Sequence, residues 1–449
     1  MYTSYIGKRF VEIYNRKMNT HHTPESFFDT VYYELFYDSD KFLFSPANTP
    51  IFQLMASKKS HISEERIAAR NKIKEKAETY TNSHALQPDM SFAIGYGSSD
   101  DLGTTSGQIT SIKMSLHADD VYASWIGAGL GIGIGGGQNL LIDHEEILWA
   151  IYEGWTIYRK FVNQTDGINN KIETWNGVWL KNRFSIAYNP QFPDSFRPVS
   201  VSKKGEMQME RPTWIEIFSM LSFRFGGSNL TAYVYQFSKM NTTIGFIQIN
   251  LPEIKRLYEI YPVLFPDSII EPEELMKNFE TAYGFLRVCQ NGVIGLRQLE
   301  PKDVFSTVSE IFLLYNIPKI KGKKAEKLRF FFTHKYSIYK SWVIAMLNNL
   351  QLSELSEEVT TVFIDFYQTN STSTRNKRFQ LVKTILESKS RTAFIKGLSE
   401  LLTKDLSNEQ VIVLKDLKNQ VVKNIPSDNL AFFIALLTFD FYYKKISHT

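Results

Sequence analysis

The chain has 449 residues, of which 43% are hydrophobic, 14% aromatic and 22% charged, with a formal net charge of +4 and a single cysteine, Cys289. This length suffices for two or three domains with full cores, and one cysteine excludes an intramolecular disulfide and fits a reducing cytoplasm. No run reaches the roughly 18 apolar residues of a membrane span and residues 1–10 lack the apolar core of a signal peptide, so a soluble, cytoplasmic chain without membrane contact is expected.

In chain order, Thr23-Pro24-Glu25 opens a helix through Phe36, with Thr23 as cap and Pro24 in the first turn. Ser63–Tyr80 is a charged helix rich in Lys, Arg, Glu and Ala, and Ser91–Ser111 reads as strand, polar loop, strand. The next segment is the most distinctive. Seven glycines lie between Gly127 and Gly137, alternating at first with Ile, Leu and Ala, and five of the seven tryptophans fall between Trp125 and Trp179. Glycine weakens regular structure, so this density implies a sharp turn or a close approach to the backbone by a nucleic-acid strand, a phosphate or another protein segment. Glu145–Phe161 is an aromatic helix, and Val178–Ser185 has strand character. Thr231–Tyr235 and Gly245–Asn250 form a hairpin joined by Phe237–Thr243, followed by helical Pro252–Tyr261 and Pro272–Phe285.

After residue 300 the texture changes. Residues 301–449 hold three of the fifteen prolines and only Gly322 and Gly397. Few breakers and recurring apolar spacing predict helices at Val304–Tyr315, Ala325–Tyr339, Lys340–Leu350, Glu354–Tyr367, Arg378–Ser388, Thr392–Leu402, Asn408–Val422 and Asn429–Tyr443. Ser407 and Ser427-Asp428 suit helix starts, and Asn370–Asn376 reads as a polar, mobile linker. The expected fold is α+β: a mixed N-terminal domain over 1–300 followed by an all-helical C-terminal bundle over 301–449. The charge divides the same way, with 22 Lys and Arg against 14 Asp and Glu in 301–449, and 29 against 33 in 1–300. A basic second half suggests a polyanionic partner, although a solvated lysine-rich surface gives the same count.

Catalytic chemistry finds little support. Gly131-x-Gly133-x-x-Gly136 fits the dinucleotide fingerprint, but a run this glycine-rich satisfies almost any glycine pattern and no ribose-binding acid follows at the right place. There is no Walker A sequence, no H-E-x-x-H pair among the eight histidines, and one cysteine cannot build a zinc site. His144-Glu145-Glu146 suits an exposed helix start better than half a metal motif. Asp100-Asp101 and Asp119-Asp120 suit turns or helix starts better than magnesium ligands. No catalytic residue, metal or cofactor is therefore assigned.

Recognition chemistry is better represented. Thr104, Ser106 and Gln108 lie in a small polar loop between Gly103 and Gly107 that suits a sugar-phosphate backbone or a base edge. Gly135, Gly136, Gly137 and Asn139 close the glycine run, and Lys181, Asn182 and Arg183 follow two tryptophans. Lys321, Lys323, Lys324, Lys327 and Arg329 form one basic cluster, and Arg375, Lys377 and Arg378 another. Both lie at loop-to-helix transitions, where side chains and free N–H groups combine on phosphates. Each group also has a bland reading, as a surface turn, a buried tryptophan segment or a solvated helix face.

The segments M-S-F-A-I-G-Y-G-S-S-D-D-L-G-T-T-S-G-Q-I-T (90–110), Y-A-S-W-I-G-A-G-L-G-I-G (122–133) and I-L-W-A-I-Y-E-G-W (147–155), with the basic helical tail, resemble the large subunit of type I CRISPR Cascade complexes. The resemblance spans most of the chain as an overall pattern. It implies a subunit that is not a nuclease and that binds at the 5′ end of the guide RNA (crRNA) beside other Cascade subunits. In that family the N-terminal domain reads the short flanking motif, the PAM, of target double-stranded DNA and promotes R-loop formation. The helical bundle guides the displaced strand, and a helicase-nuclease is recruited. Base pairing reads the long sequence, while protein reads only the flank and backbone shape. Two other classes compete: a metal-dependent nucleotide or nucleic-acid enzyme using Asp100, Asp101 or His144, and a scaffold whose basic bundle meets an acidic protein.

Overall fold

The computed structural model describes residues 1–82, 89, 91–97, 116–165, 168, 172–201, 207–236, 242–268, 270–280, 284–302, 323–368 and 372–447. The chain forms two compact units. Unit 1 comprises Met1–Leu251 and Tyr283–Ile294, and unit 2 comprises Pro252–Ala282 and Gly295–Thr449. Residues 252–282, placed with the N-terminal domain from sequence, thus fall in the second unit.

The elements of the first part are α1 (Tyr2–Met18), α2 (Pro24–Phe27), a π-helical segment Phe28–Tyr32, α3 (Tyr33–Tyr37), α4 (Pro50–Ala56), α5 (Ser63–Asn82) and α6 (Ala118–Gly129). Then follow β1 (Ile132–Gly133), β2 (Asn139–Ile142), α7 (Glu145–Gln164), α8 (Ile172–Arg183), β3 (Ser200–Val201), β4 (Met207–Gln208), α9 (Trp214–Phe225), β5 (Leu230–Gln236) and β6 (Thr242–Ile249). After β6 come α10 (Leu251–Leu264), α11 (Pro272–Met276), β7 (Phe279–Glu280), α12 (Phe285–Cys289), β8 (Val293–Ile294) and β9 (Glu300–Pro301). The fold class is α+β, as the sequence predicts.

In unit 1 a five-stranded sheet runs in the order β1-β2-β5-β6-β8. All its pairings are antiparallel except β6 with β8. The β5–β6 hairpin matches expectation in both strands, and its register slips between Val234 and Tyr235. The helical layer is fixed by α1 against α6. A Cβ on Gly7 would stand 1.9 Å from the Ala123 carbonyl oxygen, and one on Gly127 would stand 1.9 Å from that of Thr3. The two backbones therefore touch, and only glycine permits it. Polar ties finish the seam: Ser4 Oγ donates to Asp120 O at 2.7 Å, and Lys8 pairs with Asp120 at 2.7 Å. Thr23 caps α2 as expected, accepting from Ser26 N at 3.1 Å. Arg159 on α7 then holds the end of α3, donating to the carbonyls of Leu35, Phe36 and Lys41 at 2.7–3.0 Å. Burial lowers its guanidinium to about 10.

Among the described residues, the regular structure of unit 2 is helical apart from the two-residue ladder of β7 with β9. Its long helices are α13 (Lys323–Leu347), α14 (Gln351–Tyr367), α15 (Thr372–Leu386), α16 (Arg391–Leu401), α17 (Asn408–Lys423) and α18 (Leu430–Ser447). The last four predicted helices are borne out within a few residues for three, and with a six-residue earlier start for α15. Ser407 forms a capping box with Gln410 on α17. Helix Val304–Tyr315 lies outside the described residues.

Five expectations change. Ala325–Tyr339 and Lys340–Leu350 are one helix, because no breaker separates them and burial is continuous from Tyr336 to Ala345. The 372–376 part of the expected linker is the first turn of α15, a place where short polar side chains are well tolerated. Pro272–Phe285 breaks after Met276, because Phe279–Glu280 pairs with Glu300–Pro301. Residues 91–97 are turns rather than strand. Val178–Ser185 is the end of helix α8 through Arg183 and the turn after it, since Trp175 and Trp179 pack at i, i+4 spacing against α7.

The core of unit 2 contains a charge network. Lys340 and Asp440 are 3.8 Å apart, with side chains 4% and 1% exposed. Tyr336 donates to one Asp440 oxygen at 2.5 Å and Ser356 to the other, while Lys340 also meets Glu357 at 2.6 Å. Burial pushes the Asp440 carboxyl up, while Lys340 and the two hydroxyl donors pull it down.

This packing sets the outcome of two pairs of substitutions. Gly127→Ala forces a methyl into the α1 backbone and should cost about 3 kcal/mol or more. Gly227→Ala, with nothing within 4 Å of the added carbon, should change little; urea unfolding of both variants checks this. Lys340→Met should cost about 3–5 kcal/mol by leaving Asp440 unpaired. Lys340→Met with Asp440→Leu should recover only part of that, because the Tyr336 and Ser356 hydroxyls lose their acceptor; the same unfolding assay reads it.

Candidate nucleic-acid interface

The glycine run divides into two structural roles. Gly127 and Gly129 belong to α6, and Gly131 and Gly133 lie in or beside β1, all buried. Their close neighbours are other parts of this chain, so a protein segment takes the place beside the backbone that the sequence left open among three partners. Gly135, Gly136 and Gly137 form the β1–β2 turn. Gly136 and Gly137 have φ of +90° and +85°, and Gly136 is exposed. Left-handed backbone there requires glycine for the turn itself. Asn139 opens β2 and is 3% exposed, so its amide faces protein.

The tryptophans are packing residues. Trp175 and Trp179 are fully buried, and their indoles donate to the carbonyls of Gly154 and Ala150 at 2.8 and 2.7 Å. Their rings stack in parallel, with centroids 6.1 Å apart. With α8 helical, Lys181 and Arg183 point to carboxylates. Lys181 meets Glu216 on α9 at 2.6 Å, and Arg183 meets Glu153 on α7 at 3.0 Å while covering the Tyr188 ring at 4.7 Å. Asn182 is half-buried between them. Burial works to raise the Glu216 carboxyl, but hydrogen bonds from Lys181 and Thr213 win and hold it below the usual range.

The remaining candidates are in unit 2 or outside the described residues. Thr104, Ser106, Gln108 and Lys321 lie outside them, as do Asp100 and Asp101. Lys323 is the exposed first residue of α13, and Lys324, Lys327 and Arg329 follow in its first two turns. Arg375 and Lys377 are exposed in the first two turns of α15. Arg378 is half-buried, donating to Phe366 O at 3.0 Å and lying 4.9 Å over the Phe366 ring. The structure thus brings Lys181, Asn182 and Arg183 onto one helix end in unit 1, and Arg375, Lys377 and Arg378 onto another in unit 2.

Two of the described groups considered for metal chemistry sit at helix starts. Asp120 accepts from His117 N at 3.0 Å at the start of α6. His144 precedes α7 with its ring 4.5 Å from that of Phe225. Among the described residues no group of three or more His, Cys, Asp or Glu could hold a metal ion. Among them also, no helix is long and apolar enough to cross a membrane. Sequence reasoning missed Arg159, Asn176 and the Lys340–Asp440 pair. Lone polar residues inside apolar runs were the available signal.

No family model matches the chain, and neither a curated protein nor a solved structure matches it.

The paired state of Lys181 has a pH signature. Because the folded Glu216 carboxyl is lowered, its contribution is full above the ordinary glutamate value of about 4.3 and is lost as pH falls through the folded value. Lys181→Ala should cost under about 1 kcal/mol at neutral pH, since both groups are over a third exposed. It should also flatten the acid limb of the stability curve, read by urea unfolding across acid to neutral pH.

Proposed function

We propose that the chain is the non-catalytic large subunit of an RNA-guided type I CRISPR surveillance complex. In this reading it binds with crRNA and other Cascade subunits, recognises the PAM of target double-stranded DNA, promotes R-loop formation and recruits a helicase-nuclease. The support is the sequence resemblance together with a mixed unit followed by a long-helix unit.

The observation that carries the reading is where the C-terminal cations sit. Lys323, Lys324, Lys327 and Arg329 occupy the opening turns of α13. Arg375, Lys377 and Arg378 occupy those of α15, whose first turn has no acidic residue. A helix N-terminus already carries positive partial charge that fades beyond the first turn, so Lys323, Lys324 and Arg375 oppose the dipole by a few tenths of a kcal/mol each, up to about 1. A phosphate backbone reverses that penalty, because side chains and free N–H groups then share one anion. In unit 1, Lys181 and Arg183 are held by carboxylates. In this reading unit 2 takes the displaced strand, and the resemblance implies flank reading by unit 1.

The test uses the complex assembled with guide RNA and a matched duplex carrying randomised flanks. Arg375→Ala with Lys377→Ala should weaken binding equally for all flanks. It should also shrink the slope of log affinity against log salt by about 0.7–0.9 for each phosphate no longer neutralised. An unchanged slope removes these residues from the interface. No flank preference in the parent complex, or metal-dependent DNA hydrolysis by this chain alone, overturns the functional reading itself.

A further inference from the structure

Several buried polar groups of unit 1 converge on the Gly129–Gly131 backbone. Asn176 donates its amide to the Gly129 and Gly131 carbonyls, each at 2.8 Å. A Cβ on Gly129 would stand 2.9 Å from the Tyr32 hydroxyl, and one on Gly131 would stand 2.3 Å from that of Tyr235. Both hydroxyls therefore lie against the segment that Asn176 holds. Asn139 is the cross-strand neighbour of Tyr235, so their side chains share a sheet face. The Tyr37 hydroxyl lies beside that of Tyr32 and, like it, within electrostatic reach of Glu173.

These side chains are at most 3% exposed. Yet the hydroxyls of Tyr32 and Tyr37 have at most each other, and the side-chain oxygens of Asn139 and Asn176 have no hydrogen-bond partner. Leaving a buried polar atom unsatisfied costs about 1–3 kcal/mol, and native interiors nearly always avoid it. Two facing hydroxyls can at best satisfy one proton between them, so a second donor remains, and the two amide oxygens still need donors.

We infer that unit 1 holds an internal hydration site between Tyr32, Tyr37, Asn139 and Asn176, beneath the glycine segment. Water matches the unmet set, because it accepts from a tyrosine and donates to an amide oxygen at once. Charge selects a neutral occupant over a metal ion. Glu173 and Arg211 both lie within electrostatic reach of Tyr235, so one charge of each sign surrounds the site, and Arg211 donates to Thr174 at 3.0 Å. The glycines serve the site as well as the packing, since a side chain at Gly129 or Gly131 would occupy the space the hydroxyls face.

A high-resolution crystal structure of the full chain tests this. The expected result is solvent density about 2.8 Å from the Tyr32 or Tyr37 hydroxyl and from the Asn176 oxygen, lost or shifted in Tyr37→Phe. Direct bonds among the hydroxyls and amides, with no density between them, overturn the proposal. Thermal melts in sodium, potassium and caesium chloride at equal ionic strength supply a second readout. Equal melting temperatures support water. A rise specific to one cation, abolished by Glu173→Gln, shows a bound metal ion instead and overturns it.

Discussion

The backbone contact between α1 and α6 is the constraint on which unit 1 depends. Two glycines, Gly7 and Gly127, let the helices approach until each backbone meets a carbonyl of the other. That approach fixes where α6 ends and so where the glycine segment and β1 begin. It also brings the N-terminal residues onto the turns at 91–97: Thr3 donates to Ile94 O at 2.7 Å, and the Met1 amine reaches the Tyr96 hydroxyl at 3.1 Å. The opening residues of the chain are therefore core, as the burial of Thr3, Ser4 and Ile6 shows. A bulkier seam would move α6, and β1 with it.

Local signals carried much of the architecture. Thr23, Ser407 and the Pro24 position marked helix starts because capping is settled within four residues. The β5–β6 hairpin was legible from alternation. Two of the errors share a cause in partners distant in sequence. Val178 and Trp179 suit a strand in isolation, but Trp179 must place its indole on the Ala150 carbonyl, which only a helix beside α7 allows. Glycine density was recognisable as a demand for close approach, while the identity of what approaches was not. The answer, Thr3 and Tyr235 among others, is spread across the chain.

The candidate interface was legible in part for the same reason. A run of lysines shows charge, but whether a cation is available depends on its neighbours in space. Lys181 and Arg183 acquire Glu216 and Glu153 from helices α9 and α7, whereas Lys377 stands exposed near the start of its own helix. Unit 1 places its cations in ion pairs that knit helices together. The Lys340–Asp440 pair does similar work inside unit 2, with hydroxyls completing its coordination.

The sheet of unit 1 is closed by a strand that arrives late. β8 pairs in parallel with β6, but residues 252–282, between them, belong to unit 2. During synthesis the ribosome must therefore release part of the second unit before the first can complete its sheet. Until then the outer edge of β6 offers the unpaired N–H groups of Gln248 and Asn250, which later donate to the Gly292 and Ile294 carbonyls. A nascent chain paused in that interval presents an open edge, and the interleaved chain makes the two units obligate companions in biosynthesis, whatever their independence once folded.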